Sequence, residues 1–161
     1  MNSILAQRVI QELKQLSITD VIVCPGGRSI PLVFQLEEEK GLQTYYWFEE
    51  RSAAFFALGR SRVTEKPVAV VTTSGTAAGE LLPAAMEAYY SGVPLLLITS
   101  DRPRKMRGTG SPQTTDQTGL FHKHIVFELD VESGEIFTLS DWSLRGPAHL
   151  NVCFEEEHIL S

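Results

Sequence analysis

Six short runs rich in apolar and β-branched residues, DVIVCP, LQTYYWF, PVAVVTT, VPLLLITS, HIVFELDV and PAHLNVCF, recur along this chain, and the first four are separated by helical patterns. A strand that is apolar at successive positions has to be covered on both faces, and a helix after each strand supplies the cover through right-handed crossovers. Ile4, Leu5, Val9, Leu13 and Leu16 predict a helix over 3–16. RSIPLVFQLEEE predicts a second, with Ser29 as cap and Pro31 in its first turn. EERSAAFFALGRSRV predicts a third. SGTAAGELLPAAMEAYYSG predicts one long helix that ends at Gly92. The expected fold class is α/β in three layers, a mostly parallel sheet with helices on both faces.

Size and charge narrow the function classes. The chain has 161 residues, the length of one domain, expected to span 1–161. A net charge of −6, with acids spread along the chain, argues against a nucleic-acid partner. No apolar run approaches the ~18 residues of a membrane span, and MNSILAQRVIQELKQL lacks the charged-then-apolar order of a signal peptide. A cytoplasmic setting without a membrane span is expected. Cys24 and Cys153 lie in strand-like runs and are expected to be buried, reduced packing residues.

In parallel sheets ligands sit at the carboxyl ends of the strands, so the residues just after each run carry the interest. These are PGGRS, EER, TSGTA and SDRP. Gly26 and Gly27 let backbone N–H groups approach a ligand, and Arg28 adds a cation at a helix start. The loop is either an anion site or a tight turn with an exposed arginine. Ser74 and Thr76 flank Gly75 and either cap a helix or hold a polar ring or anion. A long polar stretch, SDRPRKMRGTGSPQTTDQTG, gathers Arg102, Arg104, Lys105 and Arg107. It reads as a solvated basic loop or as a seat for an acidic substrate, with Gln113, Asp116 and Gln117 adding neutral hydrogen bonds.

Glu49 and Glu50 open the third helix, where the macrodipole favours negative charge by up to about 1 kcal/mol. Capping alone explains one or both. If Glu50 points inward, SAAFFALG offers it no polar partner, and desolvation suits it to acid/base work. His122 and His124, spaced as on one face of a strand, lack a third ligand, so no metal site is expected. His149 and His158 carry no context. Asp141–Trp142 is expected to begin a short packing helix, and the EEE runs at 37–39 and 155–157 to be solvated faces.

Taken in order, CPGGRSIPL, FEERSAAFFALG, PVAVVTTSGTAAGELLPAAMEAYYSGVPLLLITSDRP and GPAHLNVCFEE resemble the amino-terminal part of the 2-succinyl-5-enolpyruvyl-6-hydroxy-3-cyclohexene-1-carboxylate synthases, menaquinone-pathway members of the thiamine-diphosphate enzyme superfamily. The resemblance implies a pyrimidine-binding domain. It implies that Glu50 is catalytic, hydrogen-bonded to N1′ of the cofactor's aminopyrimidine, in a dry setting that Phe48, Phe55 and Phe56 would help to make. Ser74, Gly75 and Thr76 would line the cofactor, while Arg28, Arg102 and Gln113 would bind substrate. Glu49 receives no catalytic role. The reaction implied is decarboxylation of 2-oxoglutarate and addition of the succinyl unit to isochorismate.

Gly27 stands where that family has serine, and Pro112 where it has asparagine, which touches substrate recognition more than cofactor chemistry. The GDG pattern that holds Mg²⁺ (or Mn²⁺) and the diphosphate is not in this sequence. The expectation is therefore part of a longer chain, inactive alone, whose central and diphosphate-binding domains lie elsewhere and whose full form is a homodimer or homotetramer. Two other readings remain: a non-catalytic anion-binding or regulatory module of the same fold, and a dinucleotide-binding domain, the latter disfavoured by the missing glycine fingerprint.

Overall fold

A computed structural model describes residues 1–156. The order of elements is α1 (Asn2–Gln15), β1 (Asp20–Val23), α2 (Ile30–Glu38), β2 (Gln43–Tyr46), α3 (Glu50–Thr64), β3 (Val68–Thr72), α4 (Thr76–Gly79), α5 (Leu82–Ser91), β4 (Leu95–Asp101), β5 (Phe127–Glu132) and β6 (Ala148–Cys153). The six strands form one sheet in the order β2-β1-β3-β4-β6-β5, and every pairing is parallel. The sheet is thus wholly parallel where a mostly parallel one was expected.

Alternation along the strands divides the core in two. Val21, Val23, Ala69, Val71, Leu96, Ile98, Leu150 and Val152 face α1 and α2. Ile22, Cys24, Val68, Val70, Leu95 and Leu97 face α3 and α5. Residues one apart on a strand point to opposite faces, so strands apolar at every position need both layers. The helices that cover the second face do so with small residues, Ala53, Ala54 and Ala57 on α3 and Ala84, Ala85 and Ala88 on α5, all fully buried. Small side chains let helix axes approach the sheet closely.

The expected single helix over 74–92 is broken in two. Pro83 has no N–H to give, and its ring collides with the carbonyl four residues back, that of Gly79, where α4 stops. The chain resumes as α5 with Pro83 in its first turn and ends at Gly92 in the left-handed conformation (φ 66°). Two other expectations also fail. His122–His124 form a 3₁₀ turn, not a strand, and His124 packs edge-on to Tyr89 and Tyr90. Residues 141–142 lie in a turn and not a helix; buried Trp142 donates its indole N–H to the Gly146 carbonyl at 3.0 Å. Among the described residues no helix is long and apolar enough to cross a membrane. Cys24 and Cys153 are buried free thiols, as expected.

The chain leaves β1 toward β2 on one side and β3 toward β4 on the other. The crevice between the ends of β1 and β3 is therefore a switch point. There the two loops meet. A Cβ on Gly26 would stand 2.5 Å from Thr73 Cβ, and the Arg28 N–H reaches Thr73 Oγ1 at 3.3 Å. Gly27, one residue on, has open space where its Cβ would be. Gly26→Ala is expected to lower unfolding stability by about 1–3 kcal/mol through overpacking. Gly27→Ala should stay within about 0.5 kcal/mol of the parent. Urea melts of the pair test this, and equal midpoints would contradict it.

Candidate functional site

Four loops ring the carboxyl end of the sheet. From β2 comes Glu49–Glu50. Glu49 is the N-cap of α3, its carboxylate accepting the N–H groups of Arg51 (3.0 Å) and Ser52 (2.9 Å). Hydrogen bonds from Ser52 and Arg51 lower its pKa. Capping therefore accounts for the first acid and leaves the second. Glu50 begins the helix half-buried, and its carboxylate has no hydrogen bond or ion pair among the described residues. Beneath the pair lies Cys24. Burial first, then the charges of Glu50 and Glu49, push its thiol up to about 12.

The dry shell expected around Glu50 is not supplied by this chain. Phe48 is 99% exposed and Phe55 42%. Phe56 turns away to stack on Trp47 at 4.5 Å, with Tyr45 against its edge. The phenylalanines beside Glu50 thus form an open apolar surface. Two buried hydroxyls near this end of the sheet, Thr72 Oγ1 and Ser100 Oγ, also have no partner among the described residues.

The β3 loop and the long stretch after β4 are tied together. Ser74 Oγ donates to the Gln113 carbonyl at 2.9 Å, and Gln113 Nε2 returns a bond to the Ser74 carbonyl at 3.3 Å. Gly75 has φ 78°, and a Cβ there would press to 3.0–3.1 Å of Gln113 atoms, so glycine is required on two counts. Thr76 is exposed at the start of α4. The predicted cofactor residues Ser74, Gly75 and Thr76 therefore share one wall with the predicted substrate residue Gln113.

Arg28 and Arg102 come together as well. Both guanidinium groups hold the carboxylate of Glu156: Arg28 Nη2 at 3.1 and 3.2 Å from its two oxygens, Arg102 through Nη1. Arg102 also donates to the Pro112 carbonyl at 3.0 and 3.3 Å. Pro112 thus orients the arginine through its backbone carbonyl. Burial opposes the Glu156 charge, but the two arginines outweigh it and lower its pKa.

The rest of the basic stretch is already neutralised. Arg104 binds Asp130 and Glu135, Arg107 binds Asp130, and Lys105 binds Glu155. The stretch is largely exposed, as a solvated loop would be, but these three cations are paired with acids and do not form a free basic patch. The acids at 155 and 156 are ion-paired and are not the solvated face expected; Glu157 and His158 lie outside the described residues. Among the described residues no group of three His, Cys, Asp or Glu could hold a metal ion.

Sequence reading gave His149 no context, and the structure gives it one. It is fully buried, with Nε2 at 2.7 Å from Thr99 Oγ1 and Nδ1 at 2.8 Å from Glu128. Asn151, two residues on, donates to Asp101 (3.0 Å) and Asp130 (2.8 Å). A signal was present: His149, Asn151 and Cys153 alternate along β6, as Glu128, Asp130 and Glu132 do along β5. Period-two polarity on neighbouring strands means one polar face. Burial works against the Asp130 charge, yet bonds from Arg107, Asn151 and Arg104 prevail and hold it well below the usual carboxylate range.

That shift carries a sign. The folded value lies below the unfolded one, so the stabilisation is complete above about pH 4 and is lost as pH falls through the lowered value. Asp130→Asn is expected to remove about 1–3 kcal/mol at neutral pH and to flatten the acid limb of the stability–pH curve. An unchanged acid limb in denaturant melts would contradict the role of this clamp.

Residues 4–120 match the family model described as thiamine pyrophosphate enzyme, N-terminal TPP binding domain. The chain is 48% identical over 157 residues to a 2-succinyl-5-enolpyruvyl-6-hydroxy-3-cyclohexene-1-carboxylate synthase of Bdellovibrio bacteriovorus, covering 96% of this chain and 30% of the relative. It is 43% identical over 164 residues to the synthase of that name from Renibacterium salmoninarum (94% and 30%) and 40% identical over 170 to that of Halobacterium salinarum (96% and 29%). The chain thus spans about 30% of the length of these curated relatives.

Proposed function

The chain belongs to the thiamine pyrophosphate enzyme family, as its N-terminal cofactor-binding domain, and on that premise we propose that it is the pyrimidine-binding part of a longer 2-succinyl-5-enolpyruvyl-6-hydroxy-3-cyclohexene-1-carboxylate synthase. The observation that carries the reading is Glu50, a half-buried carboxylate without a partner among the described residues, in the first turn of α3 and close above Cys24. An acid left unpaired at the carboxyl end of a parallel sheet fits one polar atom of a bound ring. The residues present suit the pyrimidine half of the cofactor: Glu50 would share a proton with N1′, and Ser74, Gly75 and Thr76 would line the ring. When bound, thiamine diphosphate supplies a thiazolium carbon that attacks a 2-oxo acid.

A carboxyl shares such a proton well only where water is kept out. Phe48 and Phe55, exposed beside Glu50, mark where a second surface would close over the site. We assign that surface to the rest of the enzyme in a homodimer or homotetramer, whose diphosphate domain would bring Mg²⁺ or Mn²⁺ with it. The proposed substrates are 2-oxoglutarate and isochorismate, the setting cytoplasmic menaquinone biosynthesis. Support for anionic substrates comes from Arg28 and Arg102, which already share one carboxylate, that of Glu156. Guanidinium forks match carboxylate geometry. The same convergence favours the second reading, a non-catalytic anion-binding or regulatory module; the unpartnered Glu50 counts against it.

The test is co-expression of this chain with the carboxyl-terminal domains, followed by an assay of thiamine-diphosphate-dependent 2-oxoglutarate decarboxylation. In that enzyme Glu50→Gln is expected to cut turnover at least about 100-fold, as loss of a general acid/base does, with the fold intact by circular dichroism. Turnover like the parent's would refute the role. Arg102→Ala is expected to raise KM for one anionic substrate about tenfold or more, the value of a lost charged hydrogen bond. Unchanged KM for both substrates would count against it.

A further inference from the structure

Gln117 was singled out in the sequence only as one of several neutral residues in a polar loop, and the fold buries it to 1% exposure. Its side-chain oxygen accepts the N–H of Gly75 at 2.9 Å. Its amide nitrogen donates to the Asn151 side-chain oxygen at 2.7 Å and to the Ser100 carbonyl at 3.4 Å. The direction of these bonds is fixed from outside. Asn151 must turn its NH₂ toward the carboxylates of Asp101 and Asp130, which only accept. Its oxygen is then left for donors, from Gln117 and from the Thr99 hydroxyl at 2.8 Å. With its NH₂ committed to that oxygen, Gln117 can offer only a carbonyl to Gly75. Carboxylates two hydrogen bonds away, buried Asp101 and half-buried Asp130, thus determine which way the amide faces the β3 loop.

We propose that Gln117 is the positioning residue for the 74–76 wall, acting through the Gly75 amide and not by touching the reacting atoms; this rests on the reading of 74–76 as the cofactor wall given above. Gly75 sits at a positive φ that glycine adopts readily, with Gln113 occupying the space a Cβ would need, so hydrogen bonds and not backbone stiffness fix the loop's shape. Ser74 and Gln113 close the loop from one side, and Gln117 holds it from beneath. The wall and the segment 113–117 therefore move as one body. Loosening Gln117 releases the Gly75 amide and the seat beside it together.

Two variants test this in the longer protein. Gln117→Leu removes both the acceptor and the donor. Gln117→Glu keeps an acceptor for Gly75 but can donate to Asn151 only when protonated. Hydrogen–deuterium exchange over 73–79 is expected to rise in Gln117→Leu, and calorimetric affinity for thiamine diphosphate with Mg²⁺ to fall about tenfold, the effect of one lost buried hydrogen bond. Compared with the parent at each pH, Gln117→Glu should bind nearly as well at the acid end of the range, where burial near Asp101 favours its protonated form, and progressively worse toward pH 8; a merely space-filling side chain would give no such difference. Should Gln117→Leu fail to fold, the pH profile of Gln117→Glu decides alone. Parent-like exchange and affinity in folded Gln117→Leu, or a Gln117→Glu affinity whose ratio to the parent's does not change with pH, overturns the proposal while the function above stands. A parent that binds no thiamine diphosphate overturns the function, and with it any cofactor wall for Gln117 to position.

Discussion

All six strands run the same way, and that one constraint places the chemistry. Each loop leaving a strand's carboxyl end must open at the same edge of the sheet, so four segments far apart in sequence become neighbours. Their meeting is tightest where the β1 and β3 loops diverge, with Gly26 against Thr73 and no room for a methyl group between them. The parallel pairing in turn depends on strands that are apolar on both faces, covered by α1 and α2 on one side and by the alanine-lined faces of α3 and α5 on the other. Sheet burial and site geometry are consequences of the same pattern.

Around that edge, polar groups divide into those already satisfied and those left open. Arg104, Arg107 and Lys105 are neutralised by Asp130, Glu135 and Glu155, and Glu49 caps its helix. Arg28 and Arg102 share one carboxylate at the rim, and Glu50 has none of these partnerships. Beneath them a chain of side chains, buried Gln117, Asn151 and Asp101 with half-buried Asp130 at its end, fixes donor and acceptor directions. On the proposed reading, Glu49 and the paired cations at 104, 105 and 107 are scaffold, and the site is Glu50 with the 74–76 wall and the Arg28–Arg102 pair.

Much of this was legible in the sequence. The α/β class followed from apolar strands separated by helices, and the site edge from the polar residues after each strand. Arg28, Arg102, Gln113, Ser74 and Glu50 were all named there, and the fold brings Arg28 to Arg102 and Ser74 to Gln113. What escaped was long-range. Local spacing does not say which acid meets which arginine, so the basic stretch looked like a free patch until Asp130 and Glu135 arrived from β5 and the turn after it. Helical periodicity ran through Pro83 because the clash with the Gly79 carbonyl is a backbone event that apolar spacing does not register. Phe48 and Phe55 looked like cover for Glu50, but adjacency in sequence does not decide which way a side chain turns, and both face outward.

The central claim is that the open carboxylate at position 50 meets the aminopyrimidine of thiamine diphosphate. A crystal structure of the longer protein with the cofactor bound measures this directly. The account predicts a Glu50 oxygen within about 2.5–3.2 Å of N1′, with the ring against residues 74–76. A cofactor ring seated elsewhere, or Glu50 turned to solvent beside it, would contradict the account.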